Sequence, residues 1–244
     1  KCDLTDELAV SKLAKSISPT IIIHAAGLKD IQRCEKKPKL AHLINVHMVR
    51  NVSNHFPNAK IIYISTDYVF RGDAGMYLEK DTPNPATVYG ETKYQGELVG
   101  QKIAGKNFKI LRTASIFSQD SNFLKFLNES AEKKVSIAAY SDCIFSPTYI
   151  FDLLAGITRI IENNFENNIF HVVGDAISRY SFAKSYFQIG NYDLKNLIKH
   201  ENNGANINLF KNLSLSGSWT SNILGLKPTM LKDSLRFIIH GYSK

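Results

Sequence analysis

The chain has 244 residues, of which 44% are hydrophobic and 21% are charged, as is ordinary for a soluble globular protein. No run approaches the roughly 18 apolar residues that span a bilayer, so we expect no membrane partner. The net charge of +8 is spread along the chain without a long basic cluster, which argues against nucleic acid as a partner and suits an anionic small substrate. The cysteines, Cys2, Cys34 and Cys143, show no metal-ligand spacing. We therefore expect no metal site and a reducing, cytoplasmic location.

Helix-like and strand-like segments alternate through the first half of the chain. An apolar stripe predicts a helix over 5–17, and the apolar run 20–26 predicts a strand that is buried on both faces. The segments that follow are a helix over 38–56, a buried strand over 60–65, a loop over 71–85, a helix that carries Tyr89 and Lys93, and a strand over 108–112. This alternation predicts an α/β fold with a parallel sheet covered on both faces.

The pattern loosens after about residue 117. Helices are predicted near 121–134, 149–163, 179–189, 217–224 and 228–240, and short strands near 135–138, 168–173 and 197–200. We therefore divide the chain into a first part over 1–117 and a smaller, mixed lobe over 118–244 that is interleaved with the first or follows it.

One group of three residues predicts a catalytic site. Tyr89 lies four residues before Lys93, which places both side chains on one face of a helix. Thr66 ends a buried strand 23 residues before Tyr89, and ligands of parallel sheets bind at the carboxyl ends of strands. We therefore expect Thr66, Tyr89 and Lys93 to face one crevice. The same spacing recurs at Tyr180 and Lys184 without such a strand, and we interpret that pair as structural.

These residue types suit proton transfer to a carbonyl oxygen while a cofactor moves a hydride. A phenol has a pKa of about 10, and a nearby ammonium lowers that pKa. We expect Lys93 to act in this way and Tyr89 to be the general acid. Thr66 would hydrogen-bond the same oxygen.

The chain resembles the extended short-chain dehydrogenase/reductase family, and within it the dTDP-4-dehydrorhamnose reductase group of nucleotide-sugar 4-keto reductases. The segments that carry the resemblance span almost the whole chain. They are Asp3–Asp6, His24–Gly27, Ser65–Phe70, Tyr89–Lys93, Gly96–Glu97, Leu111–Thr113, Ser146–Thr148 and Ser178–Ala183.

The resemblance implies a Rossmann-like, doubly wound parallel sheet with a smaller substrate lobe, and a role for particular residues. The implied catalytic residues are Thr66, Tyr89 and Lys93. The implied cofactor-binding residues are Asp3, Leu4, Ala25, Ala26, Gly27, Asn45, Tyr89 and Lys93. The implied substrate contacts are Asp67, Ser115 and Asn122. The implied activity is reduction of a 4-keto-6-deoxy nucleotide sugar in deoxysugar biosynthesis, with NADP(H) or NAD(H) as cofactor.

The chain departs from the family pattern at two places that matter here. The family's first βαβ segment, with its glycine-rich turn, precedes the position of Asp3, so we expect further residues upstream of Lys1. The segment Asp142–Thr148 lacks the glutamine and glycine of the family's DQxGxPT pattern. Two alternatives to the reductase stay open: an epimerase or dehydratase of the same superfamily, and a non-catalytic subunit resembling the beta subunit of methionine adenosyltransferase. A homodimer stays open for any of these functions.

Overall fold

The computed structural model describes residues 1–202 and 210–241, which form two compact units. The first unit is assembled from the segments Lys1–Arg71, Glu79–Arg112 and Ile157–Phe170. The second unit is assembled from Gly72–Leu78, Thr113–Gly156 and the described residues from His171 onward. Each unit is therefore built from separate stretches of the chain.

The strands and helices are numbered in chain order. The strands are β1 (Ile21–His24), β2 (Lys60–Thr66), β3 (Phe108–Thr113), β4 (Ile116–Phe117), β5 (Ile137–Tyr140), β6 (Ile144–Phe145), β7 (Thr148–Tyr149), β8 (Ile169–His171), β9 (Ile177–Ser178) and β10 (Leu197–His200). The helices are α1 (Glu7–Ser16), α2 (Ile31–Lys36), α3 (Pro38–His42), α4 (Met48–His55), α5 (Val88–Ala104), α6 (Asn122–Glu132), α7 (Ile150–Glu162), α8 (Arg179–Ile189), α9 (Ser218–Leu224) and α10 (Leu231–His240). A π-helical turn, Leu43–His47, joins α3 to α4.

A four-stranded sheet in the order β1-β2-β3-β8 forms the centre of the first unit. β1 and β2 run parallel, in register from Ile21 opposite Lys60 to His24 opposite Tyr63. The β-branched and aromatic residues of these strands favour extended backbone. Ile21 and Ile23 of β1 are 37% and 50% exposed, so the expectation that this strand is buried on both faces is wrong. The residues of β2 pack into a core with α4. That core contains Val49, Val52, Ile61, Tyr63, Phe108 and Ile110. The α/β fold with a parallel sheet that the sequence predicts is confirmed.

Two lysines connect the sheet of the first unit to the chain segment that leads into β8. The Lys60 ammonium donates to three carbonyls at the end of α7 and just beyond it, those of Ile160, Ile161 and Asn163, at 2.9–3.2 Å. The buried Lys109 ammonium donates to the carbonyls of Phe165 and Asn167 and to Oδ1 of Asn168. The Lys60 bonds satisfy carbonyls that the end of α7 leaves without a partner, and the Lys109 bonds hold the loop that leads into β8.

Helix α5 begins with a side-chain cap from Thr87. The Thr87 hydroxyl accepts the Gly90 N–H at 3.0 Å, which satisfies one of the free amides of the first turn. Gly90 allows close approach, because a Cβ at this position would overlap the carbonyl oxygen of Tyr68. The first turns of α5 therefore lie directly against the segment that follows β2.

The second unit is a mixed structure with its own core. β10 pairs parallel with β5, β4 pairs parallel with β7, and β6 pairs antiparallel with β9. Its buried core includes Phe117, Leu124, Leu127, Phe145, Phe182, Phe187 and Leu235. Ser178 caps α8 by accepting the Ser181 N–H, and Tyr180 packs against this core. Within residues 1–202 and 210–241, no helix is long and apolar enough to cross a membrane.

Candidate active site

The structure brings Thr66 and Tyr89 together in the first unit. Thr66 is the last residue of β2, and Tyr89 is the second residue of α5. The Thr66 hydroxyl is close enough to the phenol of Tyr89 to lower its pKa. The Thr66 hydroxyl also donates to Oδ1 of the buried Asp67 at 2.9 Å and accepts the Tyr68 N–H at 3.2 Å. The end of this strand therefore places two hydroxyls close together, as the sequence predicts.

Burial raises the pKa of Tyr89 to about 12, and the neighbouring Thr66 hydroxyl lowers it by less. Asp67 and Cys34 raise the pKa further, because negative charge disfavours a phenolate. The expectation that Lys93 lowers this pKa is wrong: the pKa is raised, and Lys93 is not among the groups that shift it. Tyr89 therefore holds its proton at neutral pH, as a general acid must.

Lys93 lies one helical turn after Tyr89 and is buried. Its ammonium donates to the Ile64 carbonyl of β2 at 2.8 Å and lies over the Tyr63 ring, 3.9 Å from the centroid. Burial lowers the pKa of Lys93 to about 7, and the charge of Glu97 opposes that change. The lysine therefore changes charge near neutral pH.

Glu97 belongs to the segment Gly96–Glu97 that carries the resemblance, and the sequence predicts no role for it. It lies one further turn along α5 and is buried. Its carboxylate accepts the Ser65 hydroxyl at 2.6 Å and is held by two nitrogens of Arg112, Nε at 3.0 Å and Nη2 at 2.7 Å. The available signal was the repeat of four residues from Tyr89 to Lys93 to Glu97, which places all three on one helical face.

Asn45 fastens the turn after β1 to α5. It is buried in the π-helical turn, a feature that is frequent at functional sites. Its Oδ1 accepts the Leu28 N–H at 2.7 Å. Its Nδ2 donates to the Leu28 carbonyl at 3.1 Å and to the Thr92 hydroxyl at 3.0 Å. The amide therefore fixes one end of the segment that contains Ala25, Ala26 and Gly27.

The predicted turn residues lie exposed directly after β1. A Cβ on Gly27 would lie 3.2 Å from Asn45 Oδ1 and 3.9 Å from the Lys93 ammonium nitrogen. The absent side chain thus leaves space beside Lys93. Ala25 and Ala26 are small and exposed, so their backbone is open to a ligand.

Asp3 and Leu4 precede α1 and belong to the same unit. The Asp3 carboxylate accepts the N–H and the hydroxyl of Thr5 at 2.9 and 2.7 Å, and these bonds lower the pKa of Asp3. The Leu4 carbonyl accepts the Asn51 side-chain amide of α4 at 2.9 Å. The backbone here is therefore held by α4.

The predicted substrate contacts fall in both units. Asp67 lies beside Thr66 in the first unit. Ser115 lies between β3 and β4, where its carbonyl accepts the Thr148 N–H at 3.1 Å, and exposed Asn122 is the first residue of α6. Ser115 and Asn122 belong to the second unit, and their roles stay predictions.

Known proteins match almost the entire chain. The family model of the RmlD substrate binding domain matches residues 1–242. The dTDP-4-dehydrorhamnose reductase of Aggregatibacter actinomycetemcomitans is 31% identical over 195 residues, which cover 76% of this chain and 66% of that protein. The chain thus spans about two thirds of the length of the curated relatives it matches. A shorter match, 39% identical over 97 residues, covers 40% of this chain and 30% of the methionine adenosyltransferase 2 subunit beta of Danio rerio.

A solved structure has the same fold. The dTDP-4-dehydrorhamnose reductase of Bacillus anthracis str. Ames, in complex with NADP, matches with a TM-score of 0.89 and 29% identity. The match covers 99% of this chain and 87% of that one. The resemblance that the motifs predict is confirmed: the chain belongs to the RmlD substrate binding domain family.

Proposed function

We propose that this protein reduces the 4-keto group of a 6-deoxy nucleotide sugar, as a step of deoxysugar biosynthesis of the dTDP-rhamnose type. The observation that carries the proposal is the placement of Thr66 at the end of β2 beside Tyr89 in the first turn of α5, with Lys93 on the next turn. The reductase relatives support the same activity.

The residues of the first unit fit a nicotinamide cofactor, NADP(H) or NAD(H). The turn Ala25–Gly27 has small side chains, and the missing Cβ of Gly27 leaves space next to Lys93. Lys93 is a donor for ribose hydroxyls, and Asp3 and Leu4 are candidates for contact with the adenine. When bound, the cofactor supplies the hydride. The NADP in the Bacillus anthracis relative favours NADPH.

Tyr89 delivers the proton in this proposal. Its raised pKa keeps the phenol protonated until a developing alkoxide, a much stronger base than a ketone oxygen, lies next to it. Thr66 donates to the same oxygen and stabilises its negative charge.

The substrate side of the proposal rests on charge and position. Asp67 adjoins Thr66 in the first unit, and Ser115 and Asn122 are the proposed substrate contacts of the second unit. A nucleotide sugar carries a negatively charged diphosphate, which the net charge of +8 attracts.

The experiment is the Tyr89→Phe variant of the full chain, assayed with a dTDP-4-keto-6-deoxy sugar and NADPH or NADH. Loss of the proton donor should lower kcat by about 100-fold or more, since general acid catalysis contributes that much. Tyr180→Phe is the matched control, because it removes the same hydroxyl from the second pair with this spacing. Equal turnover of wild type and Tyr89→Phe would refute the proposal. Analysis of the sugar product separates a reductase from an epimerase or dehydratase.

A second candidate is a non-catalytic regulatory subunit. The 39% identity over 97 residues to a methionine adenosyltransferase beta subunit favours it. This candidate predicts that the purified protein binds a methionine adenosyltransferase catalytic chain and lacks turnover with keto-sugar nucleotides. Turnover that depends on Tyr89 argues against it.

Cytoplasmic location and a homodimer complete the proposal. The free state of Cys2, Cys34 and Cys143 supports a reducing compartment. Leu98 and Ile103 of α5 are 47% and 37% exposed, and apolar surface of this kind supports self-association. Light scattering of the purified protein measures the oligomeric state.

A further inference from the structure

We propose that Glu97 is a positioning residue that favours the charged ammonium form of Lys93 and holds it against β2. The inference rests on the proposed function only through the role given there to Lys93. The hydrogen bonds of Glu97 are to Ser65 and Arg112, and not to Tyr89 or Thr66. Glu97 acts through the lysine.

The geometry joins the two side chains to neighbouring residues of one strand. Lys93 and Glu97 are four residues apart on α5, so they lie on the same face. The Lys93 ammonium donates to the Ile64 carbonyl at 2.8 Å, and the Glu97 carboxylate accepts the hydroxyl of the next residue, Ser65, at 2.6 Å. The Glu97 carboxylate and the Lys93 ammonium are therefore bound to adjacent residues of β2.

Arg112 keeps this carboxylate ionised. The two side chains are each about 1% exposed, and the guanidinium holds both carboxylate oxygens through Nε and Nη2. Such a bidentate pair is strong and directional, and arginine stays protonated in proteins. A buried ion pair of this kind is costly to desolvate and is therefore weak evidence for stability alone. A role in setting the charge of Lys93 accounts for the position of the Glu97–Arg112 pair.

The other titratable groups near Lys93 are neutral. His24 of β1 has its pKa lowered to about 4 by burial and by Lys93 itself. Burial raises the pKa of Tyr63 of β2 well above its usual value, and it raises that of Tyr89 to about 12. Glu97 is the group whose charge raises the pKa of Lys93 against the effect of burial. Without it, desolvation would leave Lys93 largely uncharged at neutral pH.

The test follows the titration of Lys93 directly. The full chain is labelled with ¹³C at lysine Cε, the Lys93 signal is assigned with Lys93→Arg, and its chemical shift is followed against pH. We expect a midpoint near pH 7 in the wild type. In Glu97→Gln we expect it to fall by about one pH unit or more, so that the ratio of ammonium to amine at pH 7 drops about tenfold.

Glu91→Gln is the matched control. Glu91 is exposed on the same helix and accepts a hydrogen bond from Gln95, so this variant loses the same charge without touching Lys93. It should leave the midpoint in place. A Lys93 midpoint in Glu97→Gln that equals that of the wild type overturns the inference.

Glu97→Gln leaves Arg112 buried without its carboxylate. A second variant is therefore tested in case Glu97→Gln does not fold. Replacing both residues, Glu97→Gln with Arg112→Gln, removes the charges as a pair and is better tolerated. The Lys93 midpoint should again lie below that of the wild type, and an unchanged midpoint in the folded double variant also overturns the inference.

Kinetics then link the charge to catalysis. In Glu97→Gln the alkaline limb of the pH profile of kcat should move to lower pH together with the NMR midpoint, whereas a structural role alone would lower kcat at every pH. A profile that stays in place while the midpoint moves overturns the positioning role. If the wild type shows no reductase turnover, the proposed function fails, and the NMR titration still decides the charge of Lys93.

Discussion

Replacement of Asn45 by alanine should destabilise the first unit markedly, because one buried amide makes three hydrogen bonds. Asn45 bonds the N–H and the carbonyl of Leu28 at 2.7 and 3.1 Å and the Thr92 hydroxyl at 3.0 Å. Asn45 is 1% exposed and Leu28 is 9% exposed, so water cannot readily replace the lost partner. Each hydrogen bond contributes about 1 kcal/mol, and a buried polar group left without a partner costs about 1–3 kcal/mol.

We therefore expect Asn45→Ala to lower the free energy of unfolding by roughly 2–4 kcal/mol. Urea unfolding followed by fluorescence or circular dichroism measures this loss. The turn over Ala25–Gly27 would also lose its anchor, so we expect the KM for the cofactor to rise more than kcat falls.

Asn54→Ala is the matched control, because Asn54 is an exposed asparagine of the neighbouring helix α4. It should change the free energy of unfolding by less than about 0.5 kcal/mol. If Asn45→Ala costs no more than Asn54→Ala, the hydrogen bonds of Asn45 do not hold the turn and the reasoning is wrong.

Two further predictions concern neighbours of the site. Glu35→Ala removes the carboxylate that accepts the Val88 N–H at 2.7 Å, so the protein should lose about 1 kcal/mol of stability in urea unfolding. Glu35→Gln retains an acceptor and should lose less. Equal losses in the two variants would contradict this account. His24 has a pKa of about 4 when folded against an ordinary 6.5, so stability should decrease as the pH falls from about 6.5 to about 4, by roughly 3 kcal/mol in total. His24→Gln should flatten this part of the pH curve, the exposed His200→Gln should not, and an unchanged slope in His24→Gln would count against a buried neutral imidazole.

Long elements with a clear apolar pattern could be predicted from the sequence. The strand predicted over 60–65 is β2, and the helix predicted over 179–189 has those bounds as α8. Helix α2 was missed because it has six residues and buries only Cys34, which leaves no periodic stripe to detect. The two-residue strands such as β4 and β6 were missed because pairing with distant partners, and not local propensity, determines them.

The contact of Thr66 with Tyr89 could be predicted because strand ends and helix starts meet at one edge of a parallel sheet. The environment of Lys93 could not be predicted from the sequence. Its acceptor is the backbone carbonyl of Ile64, and the identity of a residue does not indicate where its carbonyl points. The sign of the pKa change at Tyr89 was missed for a related reason, since the degree of desolvation depends on the packing of the whole crevice.

The position of β8 in the sheet has a consequence for the order in which the protein folds. Its partner β3 ends at Thr113, whereas β8 begins at Ile169, so a ribosome must synthesise more than fifty further residues before the sheet can close. Until then, the ammonium of Lys109 lacks the acceptors at Phe165, Asn167 and Asn168. Pairing over such separations is entropically costly and slow. Folding of the first unit should therefore follow, and not precede, synthesis of much of the second.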